Sequence, residues 1–129
     1  MSPVAVSAVR NPVEIKSEIF EINSLQTEIT IQDFSNRSLI FISQCEGRLG
    51  TFLEVTQDKP DFDTFDPSTN TLTIKTFFGV DTEEVELAAR IFAGALNISK
   101  PLIISIALKD FSKDNLFAIR DSLKKLALE

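Results

Sequence analysis

Leu72-Thr73-Ile74-Lys75-Thr76-Phe77-Phe78, a break at Gly79, an acidic-headed run from Asp81 to about Ile98, and Pro101-Leu102-Ile103-Ile104-Ser105-Ile106-Ala107-Leu108 read as strand, helix, strand. In the middle run Val85, Ala88, Ala89, Phe92, Ala95 and Leu96 recur at spacings of three and four, which places them on one stripe of a helix. Asp81 and Glu84 have the form of a capping box, and Asp81, Glu83 and Glu84 put negative charge at the positive end of the helix dipole. Gly94 within the run costs about 1 kcal/mol relative to Ala, so packing and not propensity must hold this helix. Residues 102–108 are apolar on both alternating sets except Ser105, the pattern of a central strand covered on both faces.

Upstream, Val13, Ile15 and Ile19 alternate with polar residues and then change phase to Phe20 and Ile22, which predicts a strand with a bulge near Ile19. Asn23-Ser24 is a hairpin tip, and the returning strand sets Leu25, Thr27, Ile29 and Ile31 against a wet face of Gln26, Glu28, Thr30 and Gln32. Leu39-Ile40-Phe41-Ile42 is a second all-apolar strand, and the turn from Gln44 to Gly50 hands over to Thr51-Phe52-Leu53-Glu54-Val55. Four successive strands are thus expected to form a meander. Asp58 to Asn70 reads as the longest loop. At the other end Ser112 is a plausible N-cap for a second helix with Leu116, Ile119, Leu123, Leu126 and Ala127 on its apolar stripe.

The expected fold is therefore α+β: a mostly antiparallel six-stranded sheet with two helices on one face. Residues 1–12 are expected to be a flexible tail and residues 13–129 a single domain. Two helices cover only one side of the sheet, yet Leu39–Ile42 and Leu102–Leu108 are apolar in both directions. The other face is accordingly expected to be used for dimerisation, with a sheet from a partner chain.

Thirteen Lys and Arg against nineteen Asp and Glu give a net charge of −6, and the scattered basic residues leave no phosphate-binding footprint, so no nucleic-acid partner is expected. Met1 to Pro12 lacks an apolar signal core and no run reaches the roughly 20 apolar residues of a membrane span, which predicts no membrane partner. The single cysteine, Cys45, excludes an intrachain disulfide. A cytosolic or nuclear location follows from these expectations.

Chemistry is sparse. The chain has no histidine, tryptophan or tyrosine, and Cys45 has no His to activate it, so no catalytic set and no enzyme activity are expected. Asp61, Asp63 and Asp66 resemble a calcium loop, but Phe65, Asp66 and Leu72 stand where a ligand, the required Gly and the closing Glu belong. No metal and no cofactor is expected. Phe62 and Phe65 either fold back on the sheet edge, the favoured reading, or anchor a partner as aromatic hot spots do.

The apolar strand that runs into Gln44, followed by Gly47-Arg48-Leu49-Gly50-Thr51-Phe52-Leu53, resembles the strand-turn-strand of the proteasome assembly chaperone 3 family. Leu72 to Ala93 is similar to that family's strand, acidic turn and helix, and Leu102 to Asp110 to its closing strand. Two features depart from the family pattern: a turn longer by one residue, Cys45 or Glu46, and the Asp58 to Asn70 loop. Ser112 to Lys125 also has some flavour of the chaperone 4 partner. The resemblance implies an ATP-independent chaperone of proteasome core-particle assembly that pairs with a second, similar assembly chaperone, as a heterodimer or alone as a homodimer. It would bind proteasome α subunits while the α-ring forms. Under that reading Arg48, Leu49, Phe62 and Phe65 are the candidate protein-interaction residues. The alternative reading is a non-catalytic dimeric scaffold or adaptor of a trafficking or other multiprotein complex.

Overall fold

A computed structural model describes residues 14–57 and 72–129. Its elements are strands β1 (Glu14–Ile22), β2 (Leu25–Asp33), β3 (Ser38–Ser43), β4 (Thr51–Gln57) and β5 (Leu72–Phe78), helix α1 (Glu83–Leu96), strand β6 (Leu102–Ala107) and helix α2 (Lys113–Leu128). The expected tail at 1–12 and the expected 58–70 loop, with Phe62, Phe65 and the three aspartates, lie outside the described residues.

The strands form one six-stranded sheet in the order β1-β2-β3-β6-β4-β5. All neighbours are antiparallel except β3 and β6, which run parallel. This corrects the expected meander, which stops after β3: the Gln44–Gly50 turn carries the chain over the end of β6 and not back along β3. β6 occupies the gap, so the all-apolar Leu102–Ala107 run is central, as its pattern requires.

Both helices cover one face. Ile29, Ile40, Ile42, Leu53, Val55, Leu102, Ile104 and Ile106 point from the sheet into a core closed by Ala88, Ala89 and Phe92 of α1 and Leu116, Ile119 and Leu123 of α2. The alanines let α1 approach the sheet closely, and Phe92, fully buried, fills the space between them.

Local chemistry sets the element ends. The cap of α1 is Thr82, not the expected Asp81–Glu84 box: Thr82 has the extended backbone of an N-cap, and its Oγ1 accepts a hydrogen bond from the Val85 amide at 3.2 Å. Glu83, Glu84 and Glu86 still place charge in the first turn. The helix stops at Leu96 and not near Ile98, because Asn97 takes the left-handed conformation (φ 52°) that Asn tolerates at a C-cap. Ser112 caps α2 through the Asn115 amide. The expected bulge near Ile19 is absent; β1 pairs with β2 without a break from Glu14–Asp33 to Ile22–Leu25. As an edge strand it carries apolar residues on both faces, Phe20 and Ile22 towards α2 and Ile15 and Ile19 outward, so no phase change is needed. The irregularity lies instead in β5, where Phe52 pairs with Phe78 and Leu53 with Thr76, leaving Phe77 as the extra residue.

At the far end of the sheet Lys100 bonds Asp33 at 2.6 Å and the Phe34 carbonyl at 2.6 Å, and Ser38 donates to Asp33 at 2.9 Å, which ties the β2–β3 turn to the start of β6. The Lys100 hydrogen bond, opposed by burial and helped by Ser38, holds the Asp33 carboxyl below its ordinary value of 3.8. A lowered acid pKa contributes stability that is present above 3.8 and is lost as pH falls through the folded value. The side chain is nearly half exposed, so the contribution is under about 1 kcal/mol. Asp33→Asn should therefore lower the urea midpoint slightly at pH 7, and the difference from wild type should vanish in titrations well below pH 3.8.

Candidate functional site

The face of the sheet opposite the helices carries no covering layer among the described residues. Strand register fixes what it presents. One rank runs Thr30, Phe41, Ser105, Phe52, Phe78 across β2, β3, β6, β4 and β5, and the next runs Gln32, Leu39, Ile103, Glu54, Lys75. The phenylalanines form an aromatic row: Phe41 and Phe52 meet edge to face with ring centres 6.2 Å apart, and Phe52 and Phe78 do so at 6.5 Å. Phe41 and Phe52 stand on strands separated by β6, and they meet because Ser105 between them is small. Ser105 is 2% exposed, and its hydroxyl accepts the Gly50 amide at 3.2 Å. Phe78 remains 70% exposed and Phe77 51%. The continuous apolar area spans β3, β6, β4 and β5; β2 presents Glu28, Thr30 and Gln32 on this side, the wet face its alternation predicts, and separates that area from exposed Ile15 and Ile19 of β1.

The rim at one end of the sheet is built by the turn after β3. Cys45 to Arg48 close a β-turn, with the Arg48 amide on the Cys45 carbonyl at 3.1 Å, and Glu46 (φ 55°) and Gly47 (φ 77°) both take positive φ, the signature of a type I′ turn. The turn lifts Arg48 and Leu49 into solvent, Leu49 being 64% exposed. Gly50 then presses onto β6: a Cβ there would sit 2.0 Å from the Ile106 carbonyl oxygen, so only glycine lets the chain cross. Across the β4–β5 pair, Thr51 donates to the Val80 carbonyl at 2.9 Å, which brings exposed Val80 to the same end as Leu49.

A buried amide pair anchors this rim. Gln44, at the end of β3, and Asn115, in the first turn of α2, exchange two side-chain hydrogen bonds of 3.0 Å. Gln44 Nε2 also donates to Thr27 of β2 at 3.0 Å, its Oε1 accepts the Lys109 amide at 3.3 Å, and Asn115 donates to the Asp110 carbonyl. Among the described residues no buried side-chain polar atom is left without a partner. Such a satisfied network holds three elements in one arrangement.

Of the four interaction residues expected from the sequence, Arg48 and Leu49 fall on this rim; Phe62 and Phe65 are outside the described residues. The aromatic row Phe41, Phe52 and Phe78 was not among them, although the apolar-both-ways pattern of Leu39–Ile42 signalled that one of its faces needed a cover. Cys45 is partly buried just after β3, and the described residues hold no cluster of side chains suited to a metal. This arrangement offers surfaces for binding.

A search of curated proteins finds no match. Among solved structures the chain is similar to one described as the crystal structure of a novel chaperone complex for yeast 20S proteasome assembly, with a TM-score of 0.68 and 18% sequence identity, covering 88% of this chain and 98% of that one. The model of the family described as proteasome assembly chaperone 3 matches residues 40–126, from the middle of β3 almost to the end of α2. The span includes the rim turn, β6 and the Asn115 anchor, and it is well over half of the sequence. The chain belongs to the proteasome assembly chaperone 3 family.

Proposed function

We propose that the protein acts without ATP in proteasome core-particle assembly, in the cytosol or nucleus, pairing through its open sheet face with a similar chaperone chain and binding α subunits during α-ring formation through its rim. The observation that carries the pairing is the aromatic row on an apolar face, four strands wide, that no described residue covers. A partner sheet would bury it at the spacing of a β-sandwich, about 10 Å. The rim residues Arg48 and Leu49, held out by the type I′ turn, stand at the edge of that face, where an arginine and an exposed leucine suit a transient contact resting on a few anchors. Phe62 and Phe65 join them in the proposal on sequence grounds.

Affinity capture of the tagged protein from its own cells, read by mass spectrometry, tests both parts. The expected set is a similar-sized second chaperone and proteasome α subunits, with little mature β subunit. Phe41→Asp places a charge under the proposed partner sheet and should weaken capture of the second chaperone by roughly tenfold or more, with the far-UV spectrum unchanged. Arg48→Ala with Leu49→Ala should reduce α subunits and spare the second chaperone. If no proteasomal subunit is retained and trafficking-complex proteins are, the adaptor reading replaces this one.

A further inference from the structure

We infer that the outer edge of β1 binds the same edge of a second copy of this chain, antiparallel and centred on Ser17, so that the two sheets continue as one. The contact uses neither the open face nor the rim turn. β1 ends the sheet, and no described residue lies along its outer side. It is nine residues long, with no proline and no bulge to blunt the edge. The tip residues Asn23 and Ser24, both at positive φ, close a two-residue hairpin on Ile22 and Leu25, which are therefore a hydrogen-bonded pair of the ladder. Bonded and non-bonded pairs alternate, so Ile15, Ser17, Ile19 and Glu21 turn their N–H and C=O groups outward. The Ser17 and Thr30 hydroxyls, 2.9 Å apart, agree with this phase, since side chains stand closest in non-bonded pairs.

The side chains choose both the occupant and the register. Outward groups bond only when two odd-numbered residues stand opposite, so a two-fold axis must pass through one residue of β1. An axis at Lys16 or Glu18 sets that charge against its own copy, and one at Ile19 sets Lys16 against Ile22 and Glu18 against Phe20. An axis at Ser17 sets Lys16 against Glu18 twice and Ile15 against Ile19 twice. Those isoleucines are 60% and 62% exposed, and the pairing gathers four of them into one patch. Lys16 is already held in place, its Nζ donating to the Ala127 carbonyl at 3.0 Å and to the Glu129 carbonyl, whereas exposed Glu18 pairs with no cation among the described residues. Lys16 and Glu18 would form a non-bonded pair, about 4.5 Å between Cα atoms, while Glu14 and Glu18 of the other copy lie on the diagonals at about 7–8 Å, so attraction wins.

Sedimentation velocity of the purified chain carrying Phe41→Asp, which charges the open face, reads the edge alone. Dimers should form as concentration rises. Adding Glu18→Lys should weaken them at least roughly tenfold, since two Lys–Lys pairs replace two Lys–Glu pairs. Adding Lys16→Glu instead should weaken them as well, and an equal mixture of the two variants should recover association, because each then supplies the charges that the other lacks. Ser17→Cys should give a disulfide-linked dimer on oxidation that the parent chain does not, the Cα separation of a bonded pair, about 5.5 Å, being within disulfide reach. A Phe41→Asp chain that stays monomeric overturns the inference, as does a dimer that Glu18→Lys and Ser17→Cys leave unchanged. Loss of a different captured protein from Glu18→Lys, with the purified chain monomeric, also overturns it: the edge then takes a strand of that protein and not of a second copy.

Discussion

Gly50→Ala should lower the unfolding free energy by about 3 kcal/mol. The new Cβ would stand 2.0 Å from the Ile106 carbonyl oxygen, 2.5 Å from its carbon and 2.7 Å from the Ala107 Cα. All three are backbone atoms of β6, which is hydrogen-bonded on both sides, so no rotamer change can relieve the overlap. The turn must lift instead. Lifting it breaks the Gly50–Ser105 hydrogen bond and loosens the Thr51–Ile106 pair that begins the β4–β6 ladder. Overpacking of this kind costs about 1–3 kcal/mol and the lost bond about 1 more. Urea titration measures it, with Gly94→Ala as the control: a Cβ at Gly94 meets nothing within 4 Å. A wild-type midpoint for Gly50→Ala would show that the turn is not pressed onto β6.

Asn115→Leu should cost nearly as much, about 3 kcal/mol, although leucine has the same number of side-chain heavy atoms, branched at the same carbon, and the site is fully buried. The substitution removes the reciprocal amide pair. It leaves Gln44 Oε1 with only the Lys109 amide, Gln44 Nε2 with only the Thr27 hydroxyl, and the Asp110 carbonyl without its side-chain donor. Buried groups that lose partners cost about 1–3 kcal/mol each, and the remaining bonds here reduce that only in part. The double variant Gln44→Met with Asn115→Leu removes both amides together, so it should be less destabilised than the sum of the single variants in thermal melts. Additive losses would mean that the two amides do not act as a pair.

The local elements were legible because their causes are local. The stripe from Val85 to Leu96, the Ser112 cap and the Asn23-Ser24 tip, where both residues take positive φ, each follow from a few neighbouring residues. Thr82 and Asp81 are both good capping residues, and one position decides between them only through backbone geometry. The strand order was not legible. The turn after β3 has hairpin chemistry at Glu46-Gly47, and nothing local reveals that Gly50 is shaped by a strand more than fifty residues later. The Gln44–Asn115 pair is equally silent, since each residue alone reads as an ordinary polar residue at an element end. A face that the described residues leave open was expected from the apolar runs at Leu39 and Leu102, but its aromatic row depends on which strands adjoin, so Phe41 and Phe52 could not be matched without the order.

The place of β6 also dictates when this protein can fold. β1, β2 and β3 can pair as they are made, and β4 and β5 can pair with each other, but the two groups share no ladder until Leu102–Ala107 exists to lie between them. Until then β3 and β4 each present an unpaired apolar edge, the kind that templates aggregation. Contacts of such long sequence separation also place folding towards the slow end for a domain of this size. A factor that supervises the assembly of other chains is thus itself exposed, late in its own synthesis, to the misassociation that chaperones exist to prevent.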